Sequence, residues 1–150
     1  MRIDSRRAYR LTKGNEDMSP AWSPDGRRIA FTRRAKGNDI YMVPYRGGSV
    51  SRLTRTRGVN ELNLSWSRSG LAFSASRGDA PGDLFVMNAN GSGRRQVTST
   101  PEANEWGVDW SPDRTELAFT DLARKGLFTV RPDGSNRREF KLPEGSGSEL

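Results

Sequence analysis

The stretch PAWSPDGRRIAFT, Pro20 to Thr32, decides how this chain is organised. A tryptophan leads into Ser-Pro-Asp-Gly, and an aliphatic-Ala-Phe run follows. Pro24 presets φ at the second position of a four-residue turn, Asp25 takes the third and Gly26 relieves the fourth, so the stretch is the corner of a β-hairpin. The corner returns. Trp22, Trp66 and Trp110 are each followed by serine at a constant spacing of 44 residues. Ile29-Ala30-Phe31, Leu71-Ala72-Phe73 and Leu117-Ala118-Phe119 follow the three corners, while Asn15-Glu16, Asn60-Glu61 and Asn104-Glu105 precede them.

The second half of each unit repeats as well. DIYMV (Asp39 to Val43) answers DLFVM (Asp83 to Met87) and GLFTV (Gly126 to Val130). Each is followed by a glycine turn, at Gly47-Gly48, Asn90-Gly91 and Asp133-Gly134, and then by SRLT (Ser51 to Thr54), RQVT (Arg95 to Thr98) or REFK (Arg138 to Lys141). Such runs, rich in β-branched and aromatic residues and lacking any 3.6-residue period, predict four short strands per unit, A to D. Four antiparallel strands in about 40–45 residues are the signature of a β-propeller blade. One twisted sheet cannot cover either of its faces, so blades stack and bury Trp and Phe between neighbours. An open β-sandwich, the competing all-β architecture, requires no such period. The expected division is an outer strand of a preceding or closing blade over residues 1–12 and blades over 13–54, 55–98 and 99–142. Residues 143–150 are a linker or the start of a further repeat.

The 150 residues are 33% hydrophobic, with 13 aromatics spread along the chain. That balance suits thin, regularly spaced core elements rather than disorder. The net charge is +7, yet the basic residues are interleaved with acids along the whole chain and not gathered into the patch that nucleic acid requires. Nucleic acid is therefore not the expected partner. There is no Cys, hence no disulfide framework. No apolar run approaches the roughly 18 residues that span a bilayer, so no membrane insertion is expected. The start, MRIDSRRAYRLT, lacks the apolar core of a secretory signal.

The unit PAWSPDGRRIAF…DIYMV…GG…SRLT resembles the WD-like propeller repeat of TolB-type proteins, which also builds the propeller of prolyl-oligopeptidase-type peptidases. The likeness covers roughly residues 5 to 142, and its most specific element is Trp22 to Gly26 followed by Ile29-Ala30-Phe31. The second unit has Arg68-Ser69-Gly70 in place of Pro-Asp-Gly. The third keeps Pro112 and Asp113 but has Arg114 where the family turn takes glycine. The resemblance implies a periplasmic or other extracytoplasmic scaffold that engages protein partners.

Chemistry is constrained by what is missing. With no His in the sequence, a Ser-His-Asp triad, a Cys-His pair and His-based metal sites are excluded, and no G-x-S-x-G elbow occurs. Neither catalysis, a metal nor a cofactor is expected. The candidate contact residues are Asn15, Glu16, Asn60, Glu61, Asn104 and Glu105, which precede strand A and should ring one mouth of the channel. There they would attract a cation or a basic peptide, or else organise the loop into strand A through backbone hydrogen bonds. The tryptophans, with Phe31, Phe73 and Phe119, are expected to pack between blades. NANGSG (Asn88 to Gly93) lacks the acidic ligands of a calcium loop. Arg94-Arg95 and Arg137-Arg138 open strand D, where charge on an outer edge discourages unwanted pairing. The B–C loops (Arg33 to Asn38, Ala75 to Gly82 and Asp121 to Lys125) repeat least, and unlike loops on a constant frame are where recognition sits.

Ser5 to Thr12 resembles a leading strand D, and Ser148 to Leu150 falls where a next unit would begin. Three blades leave two open faces. They are completed by further blades of a longer chain, or by a second copy closing a six-bladed ring, in which leading and trailing strands D compete for one edge. The functions in view are a partner-binding scaffold, the partial gating propeller of a peptidase whose hydrolase domain lies elsewhere, and a self-assembling half-propeller.

Overall fold

The computed structural model describes residues 9–14 and 16–140, and every regular element among them is a β-strand. The first unit holds β1 (Asp17–Trp22), β2 (Arg28–Arg34), β3 (Asn38–Pro44) and β4 (Ser51–Arg52). The second holds β5 (Val59–Ser67), β6 (Gly70–Arg77), β7 (Asp83–Met87) and β8 (Arg95–Gln96). The third holds β9 (Glu105–Trp110), β10 (Leu117–Asp121), β11 (Gly126–Val130) and β12 (Arg138–Phe140). Within each unit consecutive strands pair antiparallel, and one parallel pair, Asn38 with Asn60, ties the first sheet to the second. The chain is all-β, in four-stranded antiparallel meanders.

The corners follow their sequences. Ser23 Oγ donates to Asp25 Oδ1 and accepts from the Arg28 amide, and the Gly26 amide donates to the Ser23 carbonyl. Ser111, Asp113, Arg114 and Glu116 reproduce that network bond for bond. Arg114 takes φ 65°, where Gly26 takes 67°. The third corner therefore keeps the glycine shape with an arginine in the left-handed region, at a steric cost of about 1–2 kcal/mol. In the second unit Ser67 pairs directly with Gly70, a tighter two-residue turn.

Alternation along the strands sends each unit's residues to two faces. Ala30 and Ile40 of the first unit pack against Leu71, Phe73, Ala75 and Met87 of the second. Ala72, Leu84 and Val86 of the second pack against Leu117, Phe119, Phe128 and Val130 of the third. Trp66 and Trp110 close these two cores from the inner strands, half-buried. Trp22, at the same phase in the first unit, is 57% exposed, with no preceding unit against it among the described residues.

The leading strand expected over Ser5 to Thr12 falls partly within the described residues. Residues 5–8 lie outside the described residues, as do Ser148 to Leu150, while Tyr9 to Thr12 form no strand. A strand needs an edge to pair with, and β12 already holds the outer edge of β11.

Candidate functional site

The inner strands β1, β5 and β9 carry the candidate residues, and each is bent at one place. The register slips between Met18 and Ala21 in β1 and between Leu62 and Ser65 in β5. Ser19, Asn63 and Gly107 all take positive φ, three residues before each tryptophan. Such a bulge re-aims the side chains beside it. The units also bond across it: the Asn63 amide donates to Ser19 Oγ, and Ser65 Oγ donates to Asp109 Oδ1.

Strand pairing decides which carboxylates correspond. Asp17 lies opposite Arg33, Glu61 opposite Ala75 and Glu105 opposite Asp121, all at one position of the repeat. The first unit's counterpart of Glu61 and Glu105 is thus Asp17, not Glu16. Glu16 is exposed and reaches Arg34 at 3.3 Å across the surface. Asn15 lies outside the described residues.

Glu61 and Glu105 are 0% exposed, so neither stands open at a channel mouth. Thr54, at the end of the first unit's outer strand, accepts from the Ile40 amide and donates to Glu61; Thr56 Oγ1 donates to the same carboxylate. One unit later Thr98 accepts from the Leu84 amide and donates to Glu105, with Thr100 Oγ1 beside it. Each carboxylate latches the outer strand of one unit to the inner strand of the next. Burial pushes both carboxyl groups above the ordinary glutamate range, against the lowering pull of the threonine hydroxyls and of Arg94 or Arg137.

Those two arginines are not edge charges. Arg94 lies 4.0 Å over the Phe85 ring and 3.4 Å from Glu61, and Arg137 lies 4.7 Å over Phe128 and 3.3 Å from Glu105. Each covers a stacked pair, Phe73–Phe85 or Phe119–Phe128, both with centroids 5.8 Å apart. Val50 stands at their position in the first unit, and there Arg33 supplies the guanidinium from β2. It lies over Phe31 and Tyr41 and bonds Asp17 at 2.6 Å, holding that carboxyl below its ordinary range despite partial burial.

What remains open at this end of the inner strands is a groove of about 440 Å³ that draws on all three units. Asn60 and Asn104, both expected from the sequence, line it. Asn104 Oδ1 accepts from Trp106 Nε1 at 2.6 Å, which fixes the indole at the wall, and from the Gly82 amide. Met18, Leu62 and Trp106 give apolar surface, whereas Arg34 and Asp79 place one charge of each sign. Arg34, at the end of β2, and Asp79 fall within the B–C segments where the sequence placed recognition, whereas Trp106 was not singled out, having no counterpart at its position in the other units. The opposite end is walled by the repeated corners, among them Ser67, Ser111 and Pro112.

Among the described residues no three side chains of metal-ligating type converge, and no helix is long and apolar enough to cross a membrane. The Asn88 to Gly93 turn closes on itself, Asn90 Oδ1 accepting from both the amide and the hydroxyl of Ser92.

The family described as the TolB beta propeller domain matches residues 1–149. The chain belongs to that family. Among solved structures, this TolB-type propeller domain is similar to a putative TolB from Agrobacterium tumefaciens, with a TM-score of 0.76 and 21% identity over 86% of this chain and 50% of that one. TolB from Acinetobacter baumannii gives 0.72 and 20% over 87% and 33%. A chain of a nidogen/laminin complex gives 0.68 and 21% over 82% and 47%. The domain thus spans half or less of the length of these structures. No curated protein matches it by sequence.

Proposed function

We propose that this TolB-type propeller domain is a non-catalytic module that binds a polypeptide segment across the groove of Asn60, Asn104 and Trp106. The observation that carries the proposal is the asymmetry of that groove. A constant frame of inner strands is bordered there by the unlike B–C segments of the first and second units, whereas the opposite mouth is bordered by the repeated corners, of which the first and third share one hydrogen-bond network. The Asn60 side chain offers a donor and an acceptor together, the complement of a peptide group, and Asn104, its oxygen held by Trp106 and Gly82, adds the donors of its amide nitrogen. Met18, Leu62 and Trp106 add apolar contact, and the balanced charges of Arg34 and Asp79 select no strongly charged ligand. A propeller of the same fold occurs in the nidogen/laminin complex, which supports a protein partner.

The test is to pan phage-displayed random dodecapeptides on the immobilised domain and measure recovered peptides in solution. Trp106→Ala is expected to weaken binding at least about tenfold, roughly 1.4 kcal/mol. Arg114→Gly, at the opposite mouth, should leave binding unchanged. Failure to enrich any peptide, or peptides indifferent to Trp106→Ala, would overturn the proposal.

A further inference from the structure

The two interior junctions define what each face of a unit expects, and the outermost faces carry unmatched halves of that pattern. Ile40 and Leu84 occupy one position on the downstream faces of the first and second units, and both are 0% exposed beneath the next unit. Leu127 holds that position in the third unit and is 46% exposed. At the other end Trp22 is bare where Trp66 and Trp110 pack against a preceding unit.

The C–D turns give a second, independent mark. Gly91, at φ 87°, lies so close to the preceding unit that a Cβ would sit 2.6 Å from the Leu53 carbonyl oxygen. Gly134, at φ 88°, stands likewise 2.5 Å from the Val97 oxygen. Gly47 keeps the same turn, at φ 85°, with nothing within 4 Å among the described residues. Strand pairing places Phe140 where Leu53 and Val97 stand, and Phe140 is 57% exposed. The open turn is at one end of the chain, and the residue at the position whose backbone carbonyl meets such a turn is at the other.

We infer that two copies of this chain associate head to tail. The third unit of each covers Trp22 and Gly47 of the other through Leu127 and Phe140, closing a ring of six units with two-fold symmetry. Continuity with the two interior junctions argues for this occupant, because the mate of each open face is the chain's own opposite face. The competition expected between leading and trailing strands is narrowed among the described residues to one contact. Tyr9 to Thr12 form no strand and β12 alone pairs with the edge of β11, while Thr12 donates to Asp17 as Thr54 and Thr98 donate to Glu61 and Glu105, a contact the incoming unit must share or displace. The inference is independent of the mouth groove, since a solution mass does not read peptide binding.

The experiment is light scattering on the 150-residue chain across a concentration series, with Leu127→Asp and Trp22→Asp as separate variants checked for intact β structure by circular dichroism. The expected mass is twice 16.7 kDa, falling on dilution. Each variant alone damages both junctions of the ring and should give single-chain mass. An equimolar mixture of the two variants retains one junction with neither substitution and should recover two-chain mass. A wild-type chain that stays single at every concentration would overturn the inference. So would variants that remain dimeric, or a mass that grows without limit.

Discussion

Thr98 holds two groups at once: its hydroxyl accepts from the Leu84 amide and donates to Glu105, in a residue only 6% exposed. Thr98→Val keeps the shape but leaves a buried amide and a buried carboxylate short of a partner, so unfolding should cost about 2–4 kcal/mol less, read from urea midpoints. The latch also has a pH signature. Glu61 and Glu105 ionise at higher pH in the folded chain than in the unfolded one, so their contribution is complete below the unfolded glutamate range. It is lost as pH rises through the raised folded values. Glu61→Gln/Glu105→Gln should therefore gain stability relative to the parent as pH rises above the unfolded glutamate value of about 4.3. A constant difference between the two melting curves would contradict this. Arg114→Gly should stabilise by about 0.5–1 kcal/mol, the relief of left-handed strain less the added freedom of the unfolded chain. The Trp-Ser corner was legible because it recurs at one spacing. Asp17 was not, because the first unit holds one more residue between its Asn-Glu and its tryptophan. The latch itself was hidden because its threonine and glutamate fall on opposite sides of a unit boundary.

At the scale of strands, what each unit preserves is an arrangement rather than a residue. A guanidinium covers a stacked aromatic pair and meets an inner-strand acid, supplied by Arg94 and Arg137 from before strand D but by Arg33 from β2. Their fixed place in the repeat pointed to Phe73 and Phe119 packing between units, while no local pattern revealed that a rim arginine folds back over them. The bulge was equally invisible, since Ser19, Asn63 and Gly107 share a backbone conformation and no side-chain chemistry. Two consequences belong here. Phe73→Ala should cost about 3–5 kcal/mol, because the side chain is fully buried between two sheets. Arg33→Ala frees Asp17 from the partner that depresses it. The parent holds that contribution above the unfolded aspartate range and loses it as pH falls through the depressed folded value, so the variant's acid-unfolding limb should be shallower. Equal acid limbs would refute the pairing.

For the molecule as a whole, period and composition pointed to stacked four-stranded units, and strand pairing and family membership agree with them. The groove was largely legible: its Asn60 and Asn104 lie in the repeat, and Arg34 and Asp79 lie in the segments that stood out by not repeating, whereas Trp106 replaces Met18 and Leu62 of the other units within a repeated strand, and a search for self-similarity passes over it. The central claim is that a constant frame presents one asymmetric mouth to a polypeptide. Hydrogen–deuterium exchange of the chain with and without a panned peptide tests it most directly. Protection confined to residues 34–38, 60–62, 76–80 and 104–106 is the predicted result. Protection at the repeated corners, residues 65–68 and 109–114, or none anywhere, would contradict it.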